Sequence, residues 1–570
     1  MLPLLTEGIL ILKMVRKKLA LHFENALDEL IKEGHLPREN YDTVEITEPK
    51  NAQHGDYACN FALMAAKKAQ VNPRDLGVMF QKKLLQNPSF EKVEVAGPGF
   101  INLTISPLFL IDQIKEFSQS ALPFGWIKQV NPKKINVEFV SVNPNGPITV
   151  GSGRGAAFGD TLCRVLEAAG HQVHREFYIN DSLNSLQMDL FAESVIHYIK
   201  EALGQTSTFP ENGYKGEYVK RIAEKILEET KDQDTLQNIL WVRNRAETFM
   251  IESQRRDLEK FGVKFDTWFS EQELHDSGEV ENCLKLLDER GVTEYKEEAL
   301  WLKSTLYGDD KDRVLIRTGG SPTYIASDVA YHKNKFERGF DELIDILGPD
   351  HHGYIGRMKA GIQALGYSPE QLKVIIFQVV RFLKDGKPAP MRKRDGNIYE
   401  LADLIDEIGA DVTRFFYLMR SHDTSMDFDI DVAVKHSDEN PVFYTQYAYA
   451  RICSILNKAK HEGLLPSNHH LQLLTEPSER ALLKKVLDLS DEIQRSADHY
   501  GVHRLTNYAI ELARSFHHFY DKCRAIQKDQ PELSSARLYL CEFAQKGLKS
   551  TFDLLGISSP EKMERNESSA

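Results

Sequence analysis

Cysteine is scarce. The chain holds six in 570 residues (Cys59, Cys163, Cys283, Cys453, Cys523 and Cys541), scattered and without a C-x-x-C pair. That distribution argues against a disulfide framework or a zinc ribbon and fits a reducing cytoplasm. Long apolar runs are missing too, since none approaches the roughly 18 residues of a membrane-spanning helix. The start MLPLLTEGILIL is apolar, but it carries Glu7 and no basic opening, so it lacks the pattern of a signal peptide. An excess of positive charge is absent: 71 Lys and Arg face 84 Asp and Glu, a net charge of −13. A protein that coats polyanions is expected to be basic, so any nucleic-acid contact here must be local and shape-specific. Repeats and low-complexity tracts are also absent.

What remains is an ordinary globular composition, 42% apolar and 27% charged. At about 150 residues per domain the length predicts three or four domains. Residues 1–13 read as an extension or an upstream start, because Met14 opens a clean amphipathic pattern. Residues 14–106 read as an α+β unit, with helical periodicity, a helix start at Asn72-Pro73, and two strand-like runs around Gly97-Pro98-Gly99. Across residues 128–436, strand-like runs at 136–141, 343–347 and 373–380 alternate with helices, the pattern of a doubly wound, Rossmann-like α/β sheet. Long charged helices break that rhythm between about 185 and 300 and read as a helical insertion between the sheet's two halves. Residues 440–570 read as an all-α domain.

The most informative stretch runs from Val137 to Asp160: an apolar strand, a Pro/Gly-rich turn holding Asn145 and Gly146, then a helix opening on small residues. Glycines at a helix start let backbone N–H groups approach a phosphate, which makes Gly151, Gly153 and Arg154 a candidate polyphosphate element. As a dinucleotide fingerprint the same glycines are weak, because no acidic residue is cleanly placed after the next strand. Glu138 and Asn143, five apart ahead of the turn, suit an amino or guanidino group beside that phosphate. Tyr324 and Asp328 lie four apart, on one face of a helix, where they bind a cation or merely cap and pack. Gly348-Pro-Asp-His-His-Gly-Tyr354 follows a strand, and Met391–Asn397 concentrates Arg392, Lys393 and Arg394. Acidic groups for a cation plus two polyphosphate elements suit activation of arginine by ATP.

At this point the chain resembles the arginyl-tRNA synthetases, a family of class I aminoacyl-tRNA synthetases. The resemblance rests on ordered blocks: His54–Ala58, Ala96–Ile101, Tyr178–Asp181, Phe265–Ser270, Ala299–Leu302, Gly308–Arg313, Asp350–Tyr354, Met426–Asp429 and Glu439–Ile452. It implies arginine–tRNA ligation through an arginyl-adenylate, with ATP and Mg²⁺, L-arginine and tRNA(Arg) as partners, activation that requires bound tRNA, and a cytoplasmic monomer with no structural metal. By the same resemblance Glu138, Asn143, Tyr324, Asp328 and His351 hold arginine. Asn145, Gly146, Gly151, Gly153, Arg154, Gly348, Asp350, His352, Met391 and Arg392 fall to ATP. Residues 14–106 grip the tRNA corner and 440–570 bind the anticodon, with Tyr444, Gln446, Tyr447, Tyr449 and Arg451 offered to splayed bases or, alternatively, to the domain's own core.

Two departures from the family stand at the catalytic positions. The first signature of class I synthetases normally ends His-x-Gly-His, and here those imidazoles are Thr149 and Ser152. The second normally reads Lys-Met-Ser-Lys-Arg; here it is Pro390-Met-Arg-Lys-Arg394, so Lys393 and Arg394 remain and Arg392 replaces the serine. Hydroxyls donate hydrogen bonds but carry no charge, and losing one preorganised donor costs about 2.7–4 kcal/mol of transition-state stabilisation. Two readings follow: a working ligase with an altered ATP loop, or a catalytically weakened paralogue that binds tRNA or arginine in a regulatory role.

Overall fold

Amphipathic stripes and caps build the first domain in the computed structural model, which describes residues 14–49, 51–183, 185–388 and 399–564. Helix α1 (Val15–Lys32) buries Leu19, Phe23, Ala26 and Leu30 on one face. Helices α2 (Phe61–Ala69) and α3 (Pro73–Leu84) follow, the latter capped as expected: Asn72 accepts from the Arg74 N–H and Pro73 fills the first turn. They pack on an antiparallel sheet of order β1-β2-β4-β3, formed by β1 (Ile46–Thr47), β2 (Tyr57–Cys59), β3 (Phe90–Ala96) and β4 (Phe100–Ile105). Ser106 then caps α4 (Pro107–Ser118).

The central domain is a parallel sheet of order β12-β11-β5-β6-β7. Its strands are β5 (Lys134–Glu138), β6 (Gln172–Ile179), β7 (Thr267–Ser270), β11 (Glu342–Leu347) and β12 (Leu372–Ile376). Helix α5 (Val150–Ala168) crosses from β5 to β6. Strand β5 ends earlier than its apolar run predicts. Val140 and Ser141 have φ of +69° and +39°, and the Ser141 N–H donates to Phe139 O across a tight three-residue turn. A β-branched residue at positive φ is a strained exception, and here it bends the chain away from the sheet so that Asn143 can reach the cleft.

The insertion is shorter than the sequence suggests. Helices α6 (Leu186–Ala202), α7 (Glu217–Glu229), α8 (Gln233–Gln237) and α9 (Ile239–Lys260) share one apolar core that includes Phe191, Ile226 and Val242. The chain then rejoins the sheet at its edge as β7, so residues 267–300 are not helical insertion. Two further helices, α10 (Glu271–Asp276) and α11 (Glu279–Glu289), lead into a small antiparallel sheet of β8 (Thr293–Lys296), β9 (Ala299–Leu302) and β10 (Arg313–Ile316). The run Ala299–Leu302 is four residues long and holds no β-branched side chain, too little pattern to mark a strand in the sequence.

Helix α12 (Tyr324–Glu337) precedes β11, and α13 (Tyr354–Ala364) lies between β11 and β12. A satellite sheet holds β13 (Val380–Lys384), β14 (Lys387–Pro388) and β15 (Met426–Asp429), with α14 (Leu401–Ile408) and α15 (Ala410–Leu418) between its last two strands. The C-terminal bundle comprises α16 (Pro441–His461), α17 (Pro477–Leu487), α18 (Leu489–His499), α19 (His503–Lys522) and α20 (Pro531–Leu555). Buried Arg414 ties it to α5 and the end of α9, donating to Asp160, Phe261 O and Leu555 O. All six cysteines are buried free thiols, and among the described residues no helix is long and apolar enough to cross a membrane.

Candidate active site

Open α/β sheets bind ligands beyond the C-terminal ends of their strands. At that edge, past β5, β6 and β11, a cleft of about 730 Å³ gathers Glu138, Asn143, Tyr324, Asp328 and His351, residues drawn from segments more than two hundred positions apart. Gly348, Asp350 and Ser152 border the same cleft.

Its floor is acidic. Glu138, the last residue of β5, accepts from Lys335 Nζ at 2.6 Å. Lys335 is fully buried on α12 and also donates to Asp345 at 3.1 Å. His332 Nε2 lies 2.8 Å from the other Asp345 oxygen, and the two cations hold the Asp345 carboxyl well below the usual range despite its burial. Among the described residues Asp328 has no such fixed partner. Burial, then the negative charges of Glu271 and Glu138, push its carboxyl up to about 7, against the opposing pull of His332 and Arg357. Glu271, at the start of α10, is the acid that sequence reasoning missed. It is buried, and that burial raises its carboxyl, while Tyr178 and His275 nearby pull the other way. The only advance signal was its place one residue after the Phe265–Ser270 block.

Four carboxylates, Glu138, Glu271, Asp328 and Asp350, line the cleft against the guanidinium of Arg357 and the Lys335 ammonium behind Glu138, and this acidic excess calls for a cationic ligand. Tyr324 lines the cleft and is 63% exposed. Asn143 is held in a relay: its Nδ2 donates to Gln187 at 2.8 Å and its Oδ1 accepts from Asn180 at 3.1 Å.

The helix end of the cleft is built by capping. Thr149 is the N-cap of α5; its Oγ1 accepts from the Ser152 N–H at 3.2 Å and lies 3.1 Å from Ser152 Oγ. The two hydroxyls thus engage each other, and Ser152 is the one that borders the cleft. Residues 399–401 return to this turn, where Val150 N–H donates to Tyr399 O and Leu401 N–H to Ile148 O. The segment just before them carries Met391, Arg392, Lys393 and Arg394, which lie outside the described residues, as do residues 1–13.

Hydrogen bonds and packing set the direction of several residues singled out in the sequence. Arg154 is 1% exposed and donates to Gln378 O, Ser421 O and Thr424 O at 2.7–2.9 Å, so it braces the core and cannot reach a phosphate. A side chain at Gly153 would put Cβ 2.7 Å from Leu401, so that glycine serves helix packing. Asn145 donates to Tyr214 at 2.9 Å, and Gly146 O accepts from Gln254 at 2.8 Å, which pins the turn to the insertion. His352 is exposed beside the cleft. In the bundle, Gln446 is buried and donates to Asp411 and Ser558 O, while buried Tyr449 packs edge-on against Phe552. Both belong to the core. Tyr444 and Tyr447 are half-buried beside His517, and Arg451 lies over the Tyr520 ring at 4.1 Å, nearer the surface. Among the described residues no group of three or more His, Cys, Asp or Glu is placed to hold a metal.

A parallel sheet with a cleft at its strand ends, a capped helix facing that cleft and an appended helical bundle define a class I aminoacyl-tRNA synthetase. Family models agree on each part. Residues 124–419 match the class I (R) tRNA synthetase catalytic domain, 17–105 the arginyl-tRNA synthetase N-terminal domain, and 445–563 the DALR anticodon-binding domain. The arginine–tRNA ligase of Desulfitobacterium hafniense is 43% identical over 546 residues, 94% of this chain and 96% of that protein. That of Moorella thermoacetica is 41% identical over 97% of this chain and its own full length. The arginyl-tRNA synthetase structure of Thermus thermophilus shares the fold, with a TM-score of 0.73 at 21% identity over 96% of this chain and all of that one. The chain belongs to the arginyl-tRNA synthetase family and is an arginine–tRNA ligase.

Proposed function

We propose that the acidic cleft is the arginine site and that ligation proceeds there in two steps. Asp328 and Glu271 pair with the guanidinium, whose planar fork needs two acceptors, while lysine would leave acceptors unpaired. Tyr324 closes over the side chain, and His351 faces it from the far wall. Glu138 and Asn143, at the end nearer α5, take the α-amino group. That leaves the arginine carboxylate pointing toward the N-terminus of α5, where the Gly151 N–H and the positive end of the helix dipole suit ATP phosphate. ATP enters as its Mg²⁺ complex, with Gly348 and Asp350 beside the nucleotide.

In the first step a carboxylate oxygen attacks the α-phosphorus, the bond to the bridging oxygen breaks, and pyrophosphate leaves with Mg²⁺. In the second a terminal ribose hydroxyl of tRNA(Arg) attacks the acyl carbon and AMP departs with the bonding pair. No protein nucleophile is required, so positioning and charge stabilisation carry the rate. Lys393, Arg394 and Arg392 supply the positive charge that follows the leaving pyrophosphate. Thr149 and Ser152 act by fixing the helix start, and Ser152 adds a hydroxyl toward the phosphates. Tyr444, Tyr447 and Arg451 take part in anticodon binding. The chain works as a monomer in the cytoplasm.

The observation that supports this reading most is the convergence of Glu138, Glu271 and Asp328 on one cleft beside a helix N-terminus. Charging of purified tRNA with labelled arginine tests it. Attachment above a no-enzyme control is expected; binding of arginine and tRNA without attachment would favour a binding paralogue.

A further inference from the structure

Glu271 has a second face. Behind it lies a small cavity of about 40 Å³ bounded by His275, Ser327, Ser182 and Arg317, which shares Glu271 and Tyr324 with the main cleft. The backbone at Glu271 is already fixed, because Asp181 accepts from Ser270 Oγ at 2.5 Å and from Gln272 N–H at 2.9 Å. Its side chain is held by other groups: the Tyr178 hydroxyl and His275. His275 sits one turn further along α10, with Nε2 3.8 Å from Glu271 Oε1. The same Nε2 lies 3.1 Å from Ser327 Oγ on α12. Ser327 is 4% exposed and immediately precedes Asp328.

One ring nitrogen therefore links the two walls that carry the acids. A lone pair at Nε2 would face the Glu271 carboxylate and be repelled, whereas an N–H there is attracted to it. The arrangement selects the tautomer protonated at Nε2, with Ser327 Oγ as a second acceptor. The geometry points to His275 as a positioning residue for arginine: by tying Glu271 to the helix of Asp328, it sets the gap that a planar guanidinium bridges. This role rests on the arginine-site reading. A fork of donors meets two carboxylates only at matched spacing, so a shift of the acids on either wall falls on arginine binding and leaves ATP untouched.

Steady-state charging by the full chain tests the inference, with arginine and ATP varied separately for His275→Ala, His275→Gln, Ser327→Ala and the Ala/Ala double variant. Thermal unfolding of each variant shows that it is folded. Removing His275 is expected to raise the arginine KM about five-fold, the size of one neutral hydrogen bond such as that to Ser327, with ATP KM and kcat at saturating arginine held. His275→Gln brings an amide N–H close to the same position and recovers most of the loss. Ser327→Ala gives a smaller rise and adds nothing in the His275→Ala background, since the link is already cut. An unchanged arginine KM in folded His275→Ala, arginine and ATP KM rising together, or full additivity in the double variant would each overturn it. Asp328→Ala in the same assay separates the two readings. Loss of arginine there with His275→Ala unaffected refutes the positioning role alone; no effect of either variant refutes the arginine site as well.

Discussion

The ammonium of Lys335 donates to the carboxylate of Glu138 across 2.6 Å, with the lysine wholly buried and the glutamate 8% exposed. One oxygen of Glu138 is thus committed before any ligand arrives, and the other is aimed at the cleft. Replacing Lys335 by Met keeps the shape but strands Glu138 without its cation and leaves Asp345 with His332 alone. A buried pair broken on one side typically costs about 3–5 kcal/mol, and a loss of that size is expected in urea unfolding of Lys335→Met.

Arginine affinity should depend on pH through Asp328. Its carboxyl is pushed up to about 7, so below that pH it is neutral and a poor partner for guanidinium. Affinity therefore rises as pH increases through 7, and binding at pH 7 releases protons. Calorimetry in buffers of different ionisation enthalpy measures that release. In Asp328→Asn the proton release from this group should vanish.

Arg154 donates to three backbone carbonyls from a buried position. Arg154→Met leaves those carbonyls unpaired and is expected to lower stability by at least about 3 kcal/mol, while the ATP KM of the folded enzyme stays the same. A large rise in ATP KM with unchanged stability would restore Arg154 to the phosphate site.

Thr149 tests what the altered first signature does. Thr149→Ala removes the cap of α5 and should cost about 1 kcal/mol in unfolding. Thr149→Asp restores the cap but sets an anion beside the ATP phosphates. It should recover stability and lose charging activity, a separation readable from thermal unfolding and single-turnover kinetics.

Much of this was legible in the sequence because local chemistry announced it. Asn72-Pro73 started a helix, the alternation of strands and helices gave the parallel sheet, and Glu138, Asn143, Tyr324 and Asp328 do converge on one cleft. What stayed hidden was direction. Arg154 and Gly153 sit in a helix start of the right composition, yet they face inward, a fact set by the approach of Leu401 and the 421–424 turn hundreds of residues away. Gln446 and Tyr449 lie on an aromatic-rich helix whose buried and exposed faces depend on its partners. Glu271 and His275 hid for the opposite reason. They follow a short edge strand in a charged stretch, where one more Glu and one more His carry no periodic signal.

The most direct measurement is the arginine dissociation constant of Asp328→Asn by calorimetry, taken beside the ATP constant of the same folded variant. Loss of a carboxylate that pairs with guanidinium in a half-buried cleft is expected to weaken arginine by about a hundred-fold, near 3 kcal/mol, with ATP affinity unchanged. Arginine binding as tight as in the unaltered chain would contradict the assignment of this acidic cleft to arginine.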